Sequence, residues 1–67
     1  MKGNEVKLKL EIQMDNAAFD PHPNTEVAAI LRNFANKVQN YDELEPGYLR
    51  PLHDQNGNKV GYAKVTP

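Results

Sequence analysis

The chain has no cysteine and no serine, and its only aliphatic hydroxyls are those of Thr25 and Thr66. Without thiols there is no disulfide framework, no zinc ribbon and no cysteine nucleophile. Without serine, hydroxyl-based nucleophilic catalysis has almost no candidates. Glycine occurs only at Gly3, Gly47, Gly57 and Gly61, and none is placed in a strand-to-helix turn that would cradle a phosphate. Basic excess is also missing: 8 Lys and Arg against 9 Asp and Glu give a net charge of −1, without the positive bias typical of nucleic-acid binders. No apolar run is long enough to cross a bilayer, and the opening MKGNEVKLKLEIQ lacks the apolar core of a signal peptide. These absences predict a cytoplasmic protein that makes no use of a membrane or a cofactor.

At 67 residues the chain is read as one domain, residues 1–67, in the size range where a single hydrophobic core is barely sufficient. Roughly ten side chains suit burial, each contributing about 1.5–3 kcal/mol, against backbone ordering of about 1–2 kcal/mol per residue. Pairing with a second copy or with another protein is therefore left open.

The stretch VKLKLEIQM sets Val6, Leu8, Leu10, Ile12 and Met14 on one side and Lys7, Lys9, Glu11 and Gln13 on the other. A period of two predicts a strand with one dry and one wet face. DNAAFDPHPNTE follows as a connector, because Pro21 and Pro23 delay regular structure; Ala17, Ala18 and Phe19 are expected to fold back on the core. Asn24 or Thr25 is positioned to cap a helix over EVAAILRNFANKVQN, with Glu26 in the first turn favoured by the helix dipole. Val27, Ile30, Leu31, Phe34 and Val38, with Ala35, form an apolar stripe expected to lie on the dry face of the first strand. YDELEPG then ends the helix and returns the chain.

Two short strands, GYLRPLH and KVGYAKV, flank DQNGN. Asp54, Asn56 and Asn58 alternate like the oxygen ligands of a calcium loop, but counting from Asp54 the sixth residue is Lys59 and the twelfth Val65. A calcium loop needs glycine and a bidentate glutamate there. Asn56-Gly57 instead predicts a tight hairpin with both central residues at positive φ. A two-residue turn would set Leu52 opposite Gly61 and Arg50 opposite Ala63; a bulge would set Leu52 opposite Val60. Pro51 marks an edge or bulged strand.

His22 and His53 are the only groups that titrate near neutrality, and an acid–base or metal pair would require them to converge. The acids Asp42, Glu43 and Glu45 read as solvated surface, lacking the desolvation that fits a carboxyl for acid catalysis. Lys7, Lys9, Glu11, Gln13, Arg50 and Tyr62 make up the candidate interaction surface, on an open sheet face expected to carry Tyr48 as well; Glu5 and Glu11 oppose the positive charge there.

The segments MDNAAF, TEVAAILRNFANKV and DQNGNKVGYAKV together resemble small proteins encoded by phages and other mobile elements of bacteria. The resemblance implies a context in which short folds without catalytic residues cover a surface of a host protein, including components of host defence. The expected architecture is α+β of βαββ order, with a three-stranded, mostly antiparallel sheet and one helix on one face. The expected function is non-enzymatic binding or inhibition of a bacterial host protein. Nucleic-acid binding through the open sheet face is the alternative, and homodimerisation is compatible with both.

Overall fold

The computed structural model describes residues 6–67. Gly3 and Glu5, read above as one of four scattered glycines and as an acid of the open sheet face, lie outside the described residues.

The chain is α+β, in the order β1 (Lys7–Ile12), a 3-10 turn (Ala17–Phe19), α1 (Pro23–Asn40), β2 (Leu49–His53) and β3 (Lys59–Thr66). The sheet is antiparallel throughout with β3 in the middle, order β1-β3-β2. The 3-10 turn realises the expected fold-back: Asn16 caps it through a 2.8 Å bond from the Ala18 N–H, and Ala18 and Phe19 are buried.

The helix starts three residues earlier than the expected Glu26, so neither Asn24 nor Thr25 is its cap. His22 holds the N-cap position without a side-chain bond, and Pro23 is the first helical residue. Proline is well suited there, since its missing N–H would be an orphan and its φ is already helical. The helix ends as Asn40 turns its side-chain amide back to the Asn36 carbonyl at 2.9 Å.

Packing departs further from expectation. The helix lies against β2 and the 3-10 turn rather than over β1. Phe19, Ile30, Phe34, Leu52, Val60 and Ala63 form the core, with Ile12, Val27, Val38 and Tyr48 at its margins. Leu31 and Ala35, placed in the stripe by periodicity, are exposed. So is most of the dry face of β1: Leu8 is 44% exposed, Leu10 37%, and Val6 and Met14 more so. The apolar side of β1 was thus identified correctly by pattern, but a single helix over β2 is too narrow to cover it.

Asn56-Gly57 does make a hairpin, by a different turn. Of the two, Asn56 does not have positive φ and Gly57 does, at 83°; its N–H bonds the Asp54 carbonyl at 3.0 Å, and the Asp54 N–H bonds the Asn58 carbonyl at 2.9 Å. This is a three-residue loop closed by a left-handed glycine, the commonest alternative to the two-residue turn. It pairs His53 with Lys59, and the register then shifts by one so that Leu52 meets Gly61 and Arg50 meets Ala63. Val60 is the extra residue, and the bulge turns it into the core, where it is buried. Loop and bulge offset each other, so the outer ladder is the one a two-residue turn would have set.

Candidate interaction surface

Pairing parity sorts the candidate residues. Leu8, Leu10 and Ile12 face Val65, Ala63 and Gly61 on the helix side, while Lys7, Lys9 and Glu11 face Thr66, Lys64 and Tyr62 on the other. Leu49 and Pro51 lie opposite Lys64 and Tyr62 and share that outer face; Arg50 lies opposite Ala63, on the helix side. Lys7, Lys9, Glu11 and Tyr62 are therefore brought together as expected, and Gln13 extends the row through its N–H bond of 2.7 Å to the Val60 carbonyl. Arg50 and Tyr48 are not part of it. Lys64, whose alternation was readable in KVGYAKV once a register was known, takes the place assigned to Arg50.

Over this face no element of the described residues packs. Lys9 and Lys64 stand side by side across the β1–β3 ladder. The Lys64 ammonium lies 5.5 Å from the centroid of the Tyr62 ring, within cation–π range. The Tyr62 hydroxyl donates to Glu11 Oε1 at 3.3 Å. Leu49, 66% exposed, adds an uncovered apolar side chain at the β2 margin.

Arg50 instead fastens the connector after the helix. Its Nε and a terminal nitrogen donate to the two oxygens of Asp42 at 2.6 and 2.9 Å, and the Tyr48 hydroxyl donates to Asp42 Oδ2 at 2.6 Å. The bonds from Arg50, then Tyr48, hold the Asp42 carboxyl below its ordinary value of 3.8 despite partial desolvation. Burial, then the bond to Asp42, raises the Tyr48 phenol, and the Arg50 guanidinium is raised chiefly by the same bond. Asp42 is thus an anchor rather than the solvated acid expected of its loop.

The hairpin tip holds a second carboxylate centre. Asp54 is buried and its Oδ1 accepts the N–H groups of Asn56 and Asn58 at 2.8 and 2.9 Å, while Oδ2 accepts the side-chain amide of Asn16 at 2.8 Å. Burial pushes this carboxyl up, but the bonds from Asn58, Asn16 and Asn56 outweigh it and leave the value lowered. Glu26, also buried, accepts the Gln55 N–H at 2.8 Å. The two carboxylates therefore satisfy three amides of the tip that no backbone partner reaches. Helix-dipole reasoning placed Glu26 in the first turn and missed this long-range role; nothing local to residues 24–28 signals it.

His22 sits at the start of the helix and His53 on β2, both exposed. His53 borders an open groove of about 320 Å³ between α1 and β2, lined also by Asn33, Phe34, Lys37, Arg50 and Leu52. Both aspartates with displaced pKa values are lowered and fully engaged, the reverse of what a general acid needs near neutrality. Among the described residues no group of three His, Asp or Glu is placed to hold a metal ion, and no helix is long and apolar enough to cross a membrane.

Comparison with known families, curated proteins and solved structures finds no match to this chain.

Proposed function

We propose that the protein is a non-enzymatic protein-interaction module whose outer sheet face binds an acidic surface of a bacterial host protein, as an accessory factor of a phage or mobile element. The observation that carries the reading is the side-by-side pair Lys9 and Lys64 beside Tyr62 and Leu49, on a sheet face over which no element of the described residues packs. The paired cations complement a negative partner, and the exposed Leu49 beside the half-buried Tyr62 supplies the apolar contact such interfaces need.

A second reading, nucleic-acid binding, draws on the adjacent Lys9 and Lys64. It is less favoured because Lys64 lies over the Tyr62 ring and Glu11 holds its hydroxyl, so the aromatic surface is not free for base stacking.

Affinity capture from host lysate, with and without nuclease, tests both when run beside a Lys7→Glu/Lys64→Glu variant. One protein retained in both nuclease arms and lost with the variant supports the module. Retention unchanged by charge reversal refutes the face, and recovery that disappears with nuclease and falls steeply with salt supports the second reading.

A further inference from the structure

We propose that β1 pairs with β1 of a second copy in one defined register, joining two sheets into a continuous six-stranded sheet about a two-fold axis through Leu10. The proposal goes beyond the outer-face reading, since it concerns the strand edge rather than the face.

Edge geometry selects the register. The Gln13 N–H points to the Val60 carbonyl, and hydrogen-bonding direction alternates along an antiparallel ladder. The backbone groups of Lys7, Lys9 and Glu11 therefore turn toward β3, and those of Leu8, Leu10 and Ile12 turn outward to the open edge. Two copies pairing antiparallel must match outward residues with outward residues, which leaves three central registers. Centring on Lys9 sets Lys9 against itself between two Lys7–Glu11 pairs, and centring on Glu11 sets Glu11 against itself, so each has a like pair at its axis. Centring on Leu10 places Lys9 opposite the partner's Glu11 twice over, and Leu8 opposite the partner's Ile12. Like charges directly opposite destabilise a strand pair and opposite charges stabilise it, so the Leu10-centred register is the self-complementary one.

Two further observations agree. Leu8 and Leu10 are the half-exposed apolar residues of β1, and this register stacks both against apolar partners. The helix lies toward β2, so a two-fold axis normal to the sheet keeps the two helices on one face and apart. The other edge is unsuited: Val65 N–H points to Tyr48, so by alternation Pro51 is an outward-facing residue of β2, and it has no N–H to offer.

Sedimentation of the full chain gives the test. Wild type is expected to sediment at twice the 7.6 kDa of one chain at roughly 100 µM, in a concentration-dependent manner. Lys9→Glu and Glu11→Lys, both at exposed positions, each turn two attractive pairs repulsive and should weaken association roughly tenfold to a hundredfold. The double variant Lys9→Glu/Glu11→Lys restores the pairing, as does an equimolar mixture of the single variants. Leu10→Cys, in a chain with no other cysteine, should form an intermolecular disulfide on mild oxidation, because directly opposite residues have Cα atoms roughly 5.5 Å apart. A monomeric wild type, single variants that dimerise like wild type, or a double variant that fails to recover while still folded by circular dichroism each overturns the proposal. Capture by the outer face is scored separately through Lys7 and Lys64, so the two hypotheses fail independently.

Discussion

Replacing Gly61 with alanine should damage the fold far more than its single methyl group suggests. Gly61 lies in the central strand, opposite both Leu52 and Ile12, immediately after the bulged Val60. A Cβ built there falls inside the van der Waals envelope of the Glu11 carbonyl oxygen, 2.8 Å from the Glu11 carbonyl carbon and 3.0 Å from Ile12 Cα. All three are backbone atoms, so no rotamer change relieves the clash; β1 must move away. Overpacking of this kind costs about 1–3 kcal/mol, and loosening the last one or two rungs of the β1–β3 ladder adds about 1 kcal/mol each. The sum, about 2–5 kcal/mol, is compared with a total of about 3–10 kcal/mol for a chain of this length. With a urea m-value of about 1 kcal/mol/M, the unfolding midpoint should fall by about 2 M or more. Gly57→Ala is the control: nothing lies within 4 Å of its Cβ position, and only its φ of 83° disfavours a side chain, by about 1–2 kcal/mol. Equal or smaller destabilisation at Gly61 than at Gly57 would refute the close approach of β1 to β3.

Two other outcomes follow from the carboxylates. Asp42 and Asp54 have depressed folded-state values, so below 3.8 the unfolded chain takes up their protons first and stability falls as pH drops through the folded values, while remaining level above 3.8 with respect to these two groups. Carbon-13 titration of the two carboxyls should give midpoints below 3.8, with the Asp42 midpoint moving up in Arg50→Gln; a midpoint at or above 3.8 in the wild type would contradict the hydrogen bonding described. Glu26→Ala leaves the Gln55 N–H unpartnered and should cost about 1–2 kcal/mol, with faster amide exchange at Gln55 in particular. Unchanged exchange at that amide would show that Glu26 does not hold the tip.

The elements were legible because each has a local signature: alternation in KLKLEI, spacings of three and four in the helix, and Asn-Gly between two β-prone runs. What escaped was set by relations between distant residues. Arg50 was assigned to the wrong face because a face depends on ladder parity. Arg50 would share a face with Tyr62 only if Leu52 met Val60, one of the two registers the sequence leaves open; the ladder instead sets Leu52 opposite Gly61 and Arg50 opposite Ala63. In sequence Asp42 reads as a solvated acid, Asp54 as one of the alternating oxygens of DQNGN and Glu26 as a first-turn residue favoured by the helix dipole; only folding brings Arg50, Asn16 and Gln55 to them. Leu31 shows the converse, an apolar residue in good helical phase left exposed because the helix sits over one side of the sheet.

Pro51 limits how far such a sheet can grow. An edge strand with a full set of outward donors and acceptors is a template, and a protein with two such edges can add copies without end, as fibrils do. Here the outward row of β2 is interrupted at its middle residue, whereas that of β1 is intact. Any strand that joins does so at β1, and once two copies have met there both remaining rims carry the proline. Assembly through the sheet is then a closed pair and not a filament, so a high concentration of this small, apolar-edged chain should give a discrete species rather than a precipitate.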